Sequence, residues 1–149
     1  MFNKIIVATD GSEVSENAAK IGIEIARLSR GTVTILYVVD ILRLAHLPGY
    51  ANFPGLASQL LDLMHKEEAQ TTERIEELAR AAGVSCNSMR GEGNPSDELL
   101  RISQEAGMDL LVIGKVGRSG LDKFLMGSVA EKVVRHSKIP VLLVPGTGQ

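Results

Sequence analysis

The chain has 149 residues, a formal net charge of −2, 44% hydrophobic and 23% charged residues, which is ordinary for one globular domain over residues 1–149 with a sizeable core. A net charge of −2 gives no indication of a nucleic-acid or membrane surface as the main partner, and no apolar run approaches the roughly 18 residues of a membrane span. The single cysteine, Cys86, excludes an internal disulfide and a CxxC metal or redox site, and we expect a cytoplasmic chain.

Short apolar runs alternate with helical patterns along the chain, which predicts an α/β fold. The predicted elements are strand 5–8, helix 13–29, strand 33–39, helix 58–82, strand 84–89, a helix from Asn94 to near Gly107, strand 110–113, a helix from Ser128, and strand 141–144. The third strand alternates polar and apolar residues, which is typical of a sheet edge.

Several helix ends carry capping signals. Gly31 stands where a C-terminal cap of the first helix belongs, and Asn94 followed by proline is a typical helix start. Ser128 and Glu131 have the spacing of a capping box, in which each side chain accepts from the other's backbone N–H.

Strands this apolar are usually covered on both faces, so we predict a Rossmann-like, doubly wound, five-stranded parallel sheet of order 3-2-1-4-5, with helices on both faces. Ligands of such sheets bind beyond the carboxyl ends of the strands at the switch point. Asp10 ends the first strand and Gly114 ends the fourth, so both are expected at that point.

A glycine-rich segment joins the fourth strand to the last helix. Glycines at a strand end let a backbone approach a ligand, and a helix N-terminus after them offers unpaired N–H groups, so the segment predicts a phosphate-binding loop. Each glycine taken singly is also compatible with a plain turn, and Arg118 with a solvated loop residue. The candidate binding residues here are Gly114, Gly117, Arg118, Gly127, Ser128 and Val129.

A negatively charged side chain such as Asp10 beside phosphates requires a chemical explanation. Its carboxylate could accept a hydrogen bond from a ribose hydroxyl, hold Mg²⁺ that the phosphates also bind, or simply cap the first helix.

Other polar residues are interpreted without a function. We expect Cys86 to be a core residue, His46, His65 and His136 to be structural or solvated, and the glutamates between 67 and 77 to form a solvated helix face. The long apolar loop over 41–57 is compatible with a lid over the site or with packing against a partner.

The spacing Gly114-x₂-Gly117-x₉-Gly127-Ser128 resembles the universal stress protein signature G-x₂-G-x₉-G-[S/T] at every fixed position, and the segments 4–12 and 127–144 resemble that family's opening and closing elements. The resemblance implies a Rossmann-like fold, often dimeric, that binds ATP (or AMP or ADP). It implies that Asp10 and Val38 contact the nucleoside, Val38 through the adenine, and that the glycines and Ser128 hold phosphates and ribose. It implies at most slow ATP hydrolysis and a role in stress survival.

An uncharged edge strand at 141–144 also favours a homodimer.

Three other functions compete with nucleotide binding. An ATPase or nucleotidyl transferase lacks support because the sequence has no Walker GxxxxGK[ST] motif and no histidine with an obvious place at the site. A phosphoacceptor domain is discounted because Met89-Arg90 and Val144-Pro145 stand where an acidic residue and a lysine would be needed. A flavin carrier would be recognised by a yellow purified protein.

Overall fold

The computed structural model describes residues 1–39, 53–116 and 126–146. Within them the elements in chain order are β1 (Lys4–Thr9), α1 (Glu13–Ser29), β2 (Thr32–Val39), α2 (Leu56–Ala81), β3 (Ser85–Glu92), α3 (Pro95–Glu105), β4 (Leu110–Gly114), α4 (Ser128–His136) and β5 (Val141–Val144). The strand–helix alternation predicted from the apolar runs is confirmed. The bounds differ most at β3, which continues to Glu92 rather than ending at Met89.

The strands form a parallel sheet in the order β3-β2-β1-β4-β5, which confirms the predicted topology and the edge position of β3. Val7 lies opposite Val112 of β4, and Thr9 lies opposite Tyr37 of β2. The three inner strands therefore end at the same side of the sheet.

Helices cover both faces of the sheet because alternate residues of each inner strand point to opposite sides. On one face α1 and α2 bury Ala18, Ile23 and Ile75 against Ile5, Val7, Val33, Ile35 and Val112. On the other, α3 and α4 bury Leu99, Ile102, Ala130 and Val133 against Ile6, Leu36, Leu111 and Ile113. Cys86 is half-buried at the border of the first cluster, and burial together with the Glu76 carboxylate raises the pKa of its thiol to about 11.

The prediction that Gly31 caps α1 is wrong. The left-handed residue is Arg30, with φ 59°, and its N–H donates to the carbonyl of Ala26. Gly31 is needed for another reason, since a Cβ there would lie 2.5 Å from the carbonyl oxygen of Asn3 at the start of β1. The cap of α3 is as predicted: the Asn94 side chain accepts from the Asp97 N–H.

None of the helices in the described part of the chain combines the length and the apolar character that a membrane crossing requires.

Candidate functional site

The loop between β1 and α1 is held in place by its own polar groups. The Asp10 Oδ1 accepts from the Ser12 N–H at 2.9 Å, and the Gly11 N–H donates to the Thr9 Oγ1 at 3.2 Å. The Ser12 Oγ accepts from the Ser15 N–H at 3.2 Å, so Ser12 is the cap of α1, and the interpretation of Asp10 as that cap is wrong. Asp10 instead fixes the turn that leads into the helix.

A buried hydroxyl pair lies beneath this turn. The Ser15 Oγ donates to the Ser12 carbonyl at 2.8 Å, which uses its single hydrogen. The contact of 3.0 Å between the Thr9 Oγ1 and the Ser15 Oγ is therefore a hydrogen bond that Thr9 donates. The pair joins the end of β1 to the first turn of α1 and holds the half-buried Asp10 at the sheet's carboxyl end.

Two backbone hydrogen bonds join the end of β4 to β5 and α4. The Lys115 N–H donates to the Val144 carbonyl at 2.7 Å, and the Lys115 carbonyl accepts from the Gly127 N–H at 2.8 Å. Residues twelve positions apart, Lys115 and Gly127, are thereby held side by side. The start of α4 is consequently anchored at the carboxyl end of the sheet.

Gly114 lies against the first turn of α1. A Cβ at Gly114 would come within 2.6 Å of the Val14 Cγ1, closer than packed atoms allow. Because β1 and β4 are parallel neighbours, Gly114 and Asp10 leave the sheet at the same end. The structure thus brings together these two residues, which are about a hundred positions apart in the chain.

The first turn of α4 presents backbone donors. Gly127 is the N-cap in an extended conformation (φ −63°, ψ 153°), and the Ser128, Val129 and Ala130 N–H groups are the ones that a helix start leaves without an intrahelical acceptor. Among the described residues no acceptor is seen for these three groups. With the positive end of the helix dipole, they form an anion-binding surface.

The predicted capping box at the start of α4 is wrong. Ser128 is the first residue inside the helix, one position past the cap, so its hydroxyl cannot reach the N–H that a cap would satisfy. The Glu131 carboxylate pairs with Arg135 at 2.8 Å. The exposed Ser128 hydroxyl makes no capping bond.

Val38 provides an apolar wall at the end of β2. Thr9 lies opposite Tyr37, so Val38 stands level with Asp10 on the neighbouring strand. The side chain is half-buried and packs against the second core cluster, and a Cβ on Gly91 of β3 would lie 3.5 Å from its Cγ2. Val38, Asp10, Gly114 and the start of α4 therefore belong to one end of the sheet.

Two predicted site residues, Gly117 and Arg118, lie outside the described residues, as does most of the predicted 41–57 loop. Sequence reasoning missed the Thr9–Ser15 pair, although the Ser12-x-x-Ser15 spacing of a capping serine was a usable signal. It also missed the Lys115 carbonyl, for which the sequence offers no signal because the group is backbone.

Acidic side chains do not form a metal cluster in the described part of the chain. The predicted solvated face of α2 glutamates is confirmed only in part: Glu73 and Glu77 are exposed, whereas Glu67 and Glu76 are half-buried. Glu68 is only 16% exposed and pairs with Arg90 of β3 at 3.3 Å. Arg90 also contacts the exposed His65 ring. Glu68 and Arg90 line a cleft of about 550 Å³ between α2 and β3.

The whole sequence matches known proteins. The family model described as the universal stress protein family matches residues 1–145. Universal stress protein MJ0531 of Methanocaldococcus jannaschii is 37% identical over 145 residues, which cover 97% of this chain and 82% of that protein. The structure of MJ0577 from the same organism superposes with a TM-score of 0.84 at 27% identity, covering 100% of this chain and 99% of that one. A universal stress protein crystallised in complex with cAMP has a TM-score of 0.68 at 29% identity, covering 97% of each chain. The chain belongs to the universal stress protein family.

Proposed function

We propose that this protein binds an adenine nucleotide at the carboxyl end of the sheet, with ATP as the principal ligand, and acts as a regulatory protein of the stress response. The observation that carries the proposal is the first turn of α4: three of its backbone N–H groups have no acceptor among the described residues, and it is anchored at the end of the sheet where Gly114 and Asp10 lie. Support also comes from the family membership and from the related protein that was crystallised with cAMP.

The phosphates would lie at the start of α4. The Gly127 N–H is already used by the Lys115 carbonyl, so the donors are the N–H groups of Ser128, Val129 and Ala130, with the exposed Ser128 hydroxyl beside them. Hydrogen bonds to a charged group contribute about 1.5–3 kcal/mol each. Three of them, less the cost of ordering the ligand, are compatible with about micromolar affinity, near −8 kcal/mol.

The nucleoside would extend from α4 toward β1 and β2. Val38 offers the adenine an apolar wall, and the Asp10 carboxylate is level with it on the neighbouring strand, where a ribose hydroxyl can donate to it. Asp10 is also the residue that would hold Mg²⁺, with phosphate oxygens and water completing the coordination. Gly117 and Arg118 remain candidate ligands on the phosphate side.

We propose binding rather than rapid turnover. Phosphoryl transfer needs a positioned base or a cationic clamp at the leaving group. The contacts proposed for the nucleotide are backbone N–H groups and the Asp10 carboxylate, an arrangement suited to holding a nucleotide.

We also propose a homodimer that forms through β5. Val141–Leu143 are half-buried at the outer edge of the sheet and carry no charge, which leaves an apolar strand edge available for pairing.

Calorimetric titration with ATP, ADP and AMP, with and without Mg²⁺, tests the nucleotide proposal. The variant is Gly127→Val, in which the added methyl groups should obstruct the approach of a phosphate. Because Gly127 is buried, circular dichroism is used to check that the variant is folded. We expect the affinity to fall at least about a hundredfold, as expected if one or two charge-assisted bonds are lost.

The matched control is Ser85→Val, which adds the same side chain at an exposed position on β3, at the amino end of the sheet. It should bind as the wild type does. Unchanged affinity in Gly127→Val, or no nucleotide binding by the wild type, contradicts the proposal.

A further inference from the structure

The cleft between α2 and β3 lies apart from the proposed nucleotide site. Its helical wall is one face of α2, because its members recur at helical spacing from Glu68 to Arg80. This wall is about 18 Å long at 1.5 Å per residue, which matches an extended chain of about five or six residues. The opposite wall is Ser88, Met89 and Arg90 of β3.

β3 forms the edge of the sheet along this cleft. It is paired with β2 alone among the described residues, and seven of its eight positions are at least partly exposed. Proteins usually protect such an edge with charges or bulges. Here the charged residues Arg90 and Glu92 stand at one end, and 85–89 carries no charge, with Met89 37% exposed.

The helical wall supplies excess negative charge. Glu68 is ion-paired with Arg90, but Glu73, Glu76 and Glu77 form no ion pair with any residue in the described ranges. Only Arg80 offsets these three carboxylates within the cleft. An open edge flanked by carboxylates on one side selects an extended segment that carries positive charges.

We propose that this cleft binds an extended, basic segment of a partner protein, which adds to the sheet as a strand beside β3 while its Lys or Arg side chains reach the α2 glutamates. The backbone hydrogen bonds of β3 would provide the affinity, and the glutamates would select the charge. A second copy of this chain is the poorer occupant, because pairing two β3 edges about a two-fold axis would bring two sets of uncompensated carboxylates together.

The probe is a seven-residue peptide of alternating Lys and Val, added to the ¹⁵N-labelled full chain. We expect amide shifts and slower hydrogen exchange to concentrate in β3 and along the cleft-facing residues of α2. The triple variant Glu73→Gln, Glu76→Gln, Glu77→Gln should weaken binding about tenfold, since each exposed pair contributes little alone. The matched control, Glu13→Gln with Glu24→Gln and Glu105→Gln, makes the same change in net charge outside the cleft and should bind as the wild type does.

Three further ligands separate strand addition from charge attraction: a backbone-methylated peptide, an acidic peptide and the polycation spermidine. A peptide of the same sequence with every backbone nitrogen methylated keeps its charge but loses its donors, and we expect it to bind at least tenfold more weakly. An alternating Glu-Val peptide should not bind. Equal binding of the methylated peptide, equal competition by spermidine, or protection that maps away from β3 would overturn the proposal.

Discussion

Arg30 and Gly31 show that a glycine beside a helix end does not always occupy the left-handed position. Arg30 adopts φ 59°, which is unfavourable for a residue with a Cβ. We expect Arg30→Gly to raise the free energy of unfolding by about 0.5–1 kcal/mol, the relief of strain less the entropy of a new glycine.

A substitution at the neighbouring Gly31 should lower the free energy of unfolding instead. Gly31→Ala would place a Cβ 2.5 Å from the Asn3 carbonyl oxygen, which is backbone and cannot turn aside, so we expect a loss of about 2 kcal/mol. Urea denaturation of the wild type and of the two variants measures both changes in the free energy of unfolding. Stabilisation by Gly31→Ala would show that β1 does not approach this closely.

The same pair marks a limit of prediction at the level of residues. A glycine after a helical pattern indicates a break in the chain, and that break is real. Whether Arg30 or Gly31 takes the left-handed conformation depends on how closely β1 approaches Gly31. That approach is a contact with Asn3, 28 positions away in the chain, which the local pattern does not reveal. The caps predicted at Asp10 and Ser128 are also wrong, because the cap of α1 is Ser12, two residues after Asp10, and the cap of α4 is Gly127, one residue before Ser128.

Whole elements were predictable where their apolar residues recur with one period. The sheet order followed from the apolar strands and the right-handed crossovers, and the β3 edge followed from its alternation. For the candidate site, only its location could be predicted, because Gly114 and Asp10 end neighbouring strands. The bonds that complete it, from Lys115 to Gly127 and to Val144, join backbone groups and leave no trace in residue type.

The exposed edge of β5 makes a testable prediction about association. We expect the wild type to sediment as a dimer, at twice the 16.0 kDa of the chain, at micromolar concentration. Leu143→Lys should shift the equilibrium to the monomer, because a charge on a pairing edge must be desolvated.

The control for this prediction is Ser85→Lys, which adds the same charge to the other edge strand and should leave the dimer intact. Circular dichroism confirms that both variants are folded. A wild-type monomer, or equal effects of the two lysines, would count against β5 as the interface.

At the scale of the molecule, nucleotide binding should appear as thermal stability. A ligand present at a hundred times its Kd, binding the folded state alone, adds about 2.7 kcal/mol, which raises the Tm of a chain of this size by about 5–10 °C. Differential scanning calorimetry should show this shift for the wild type and Ser85→Val with ATP. Gly127→Val, with its affinity reduced about a hundredfold, should show a shift of at most about 1–2 °C at the same ligand concentration. An equal shift in that variant would place the nucleotide elsewhere.

The backbone of Lys115 connects the edge strand β5 to the start of α4. Its N–H holds the last residue of β5, and its carbonyl holds the residue that opens α4. A strand that pairs with β5 and an anion that binds at α4 would therefore act on the same residue, through the two peptide groups that flank its Cα. Self-association and nucleotide loading are then expected to be thermodynamically linked, each altering the affinity of the other by the same factor.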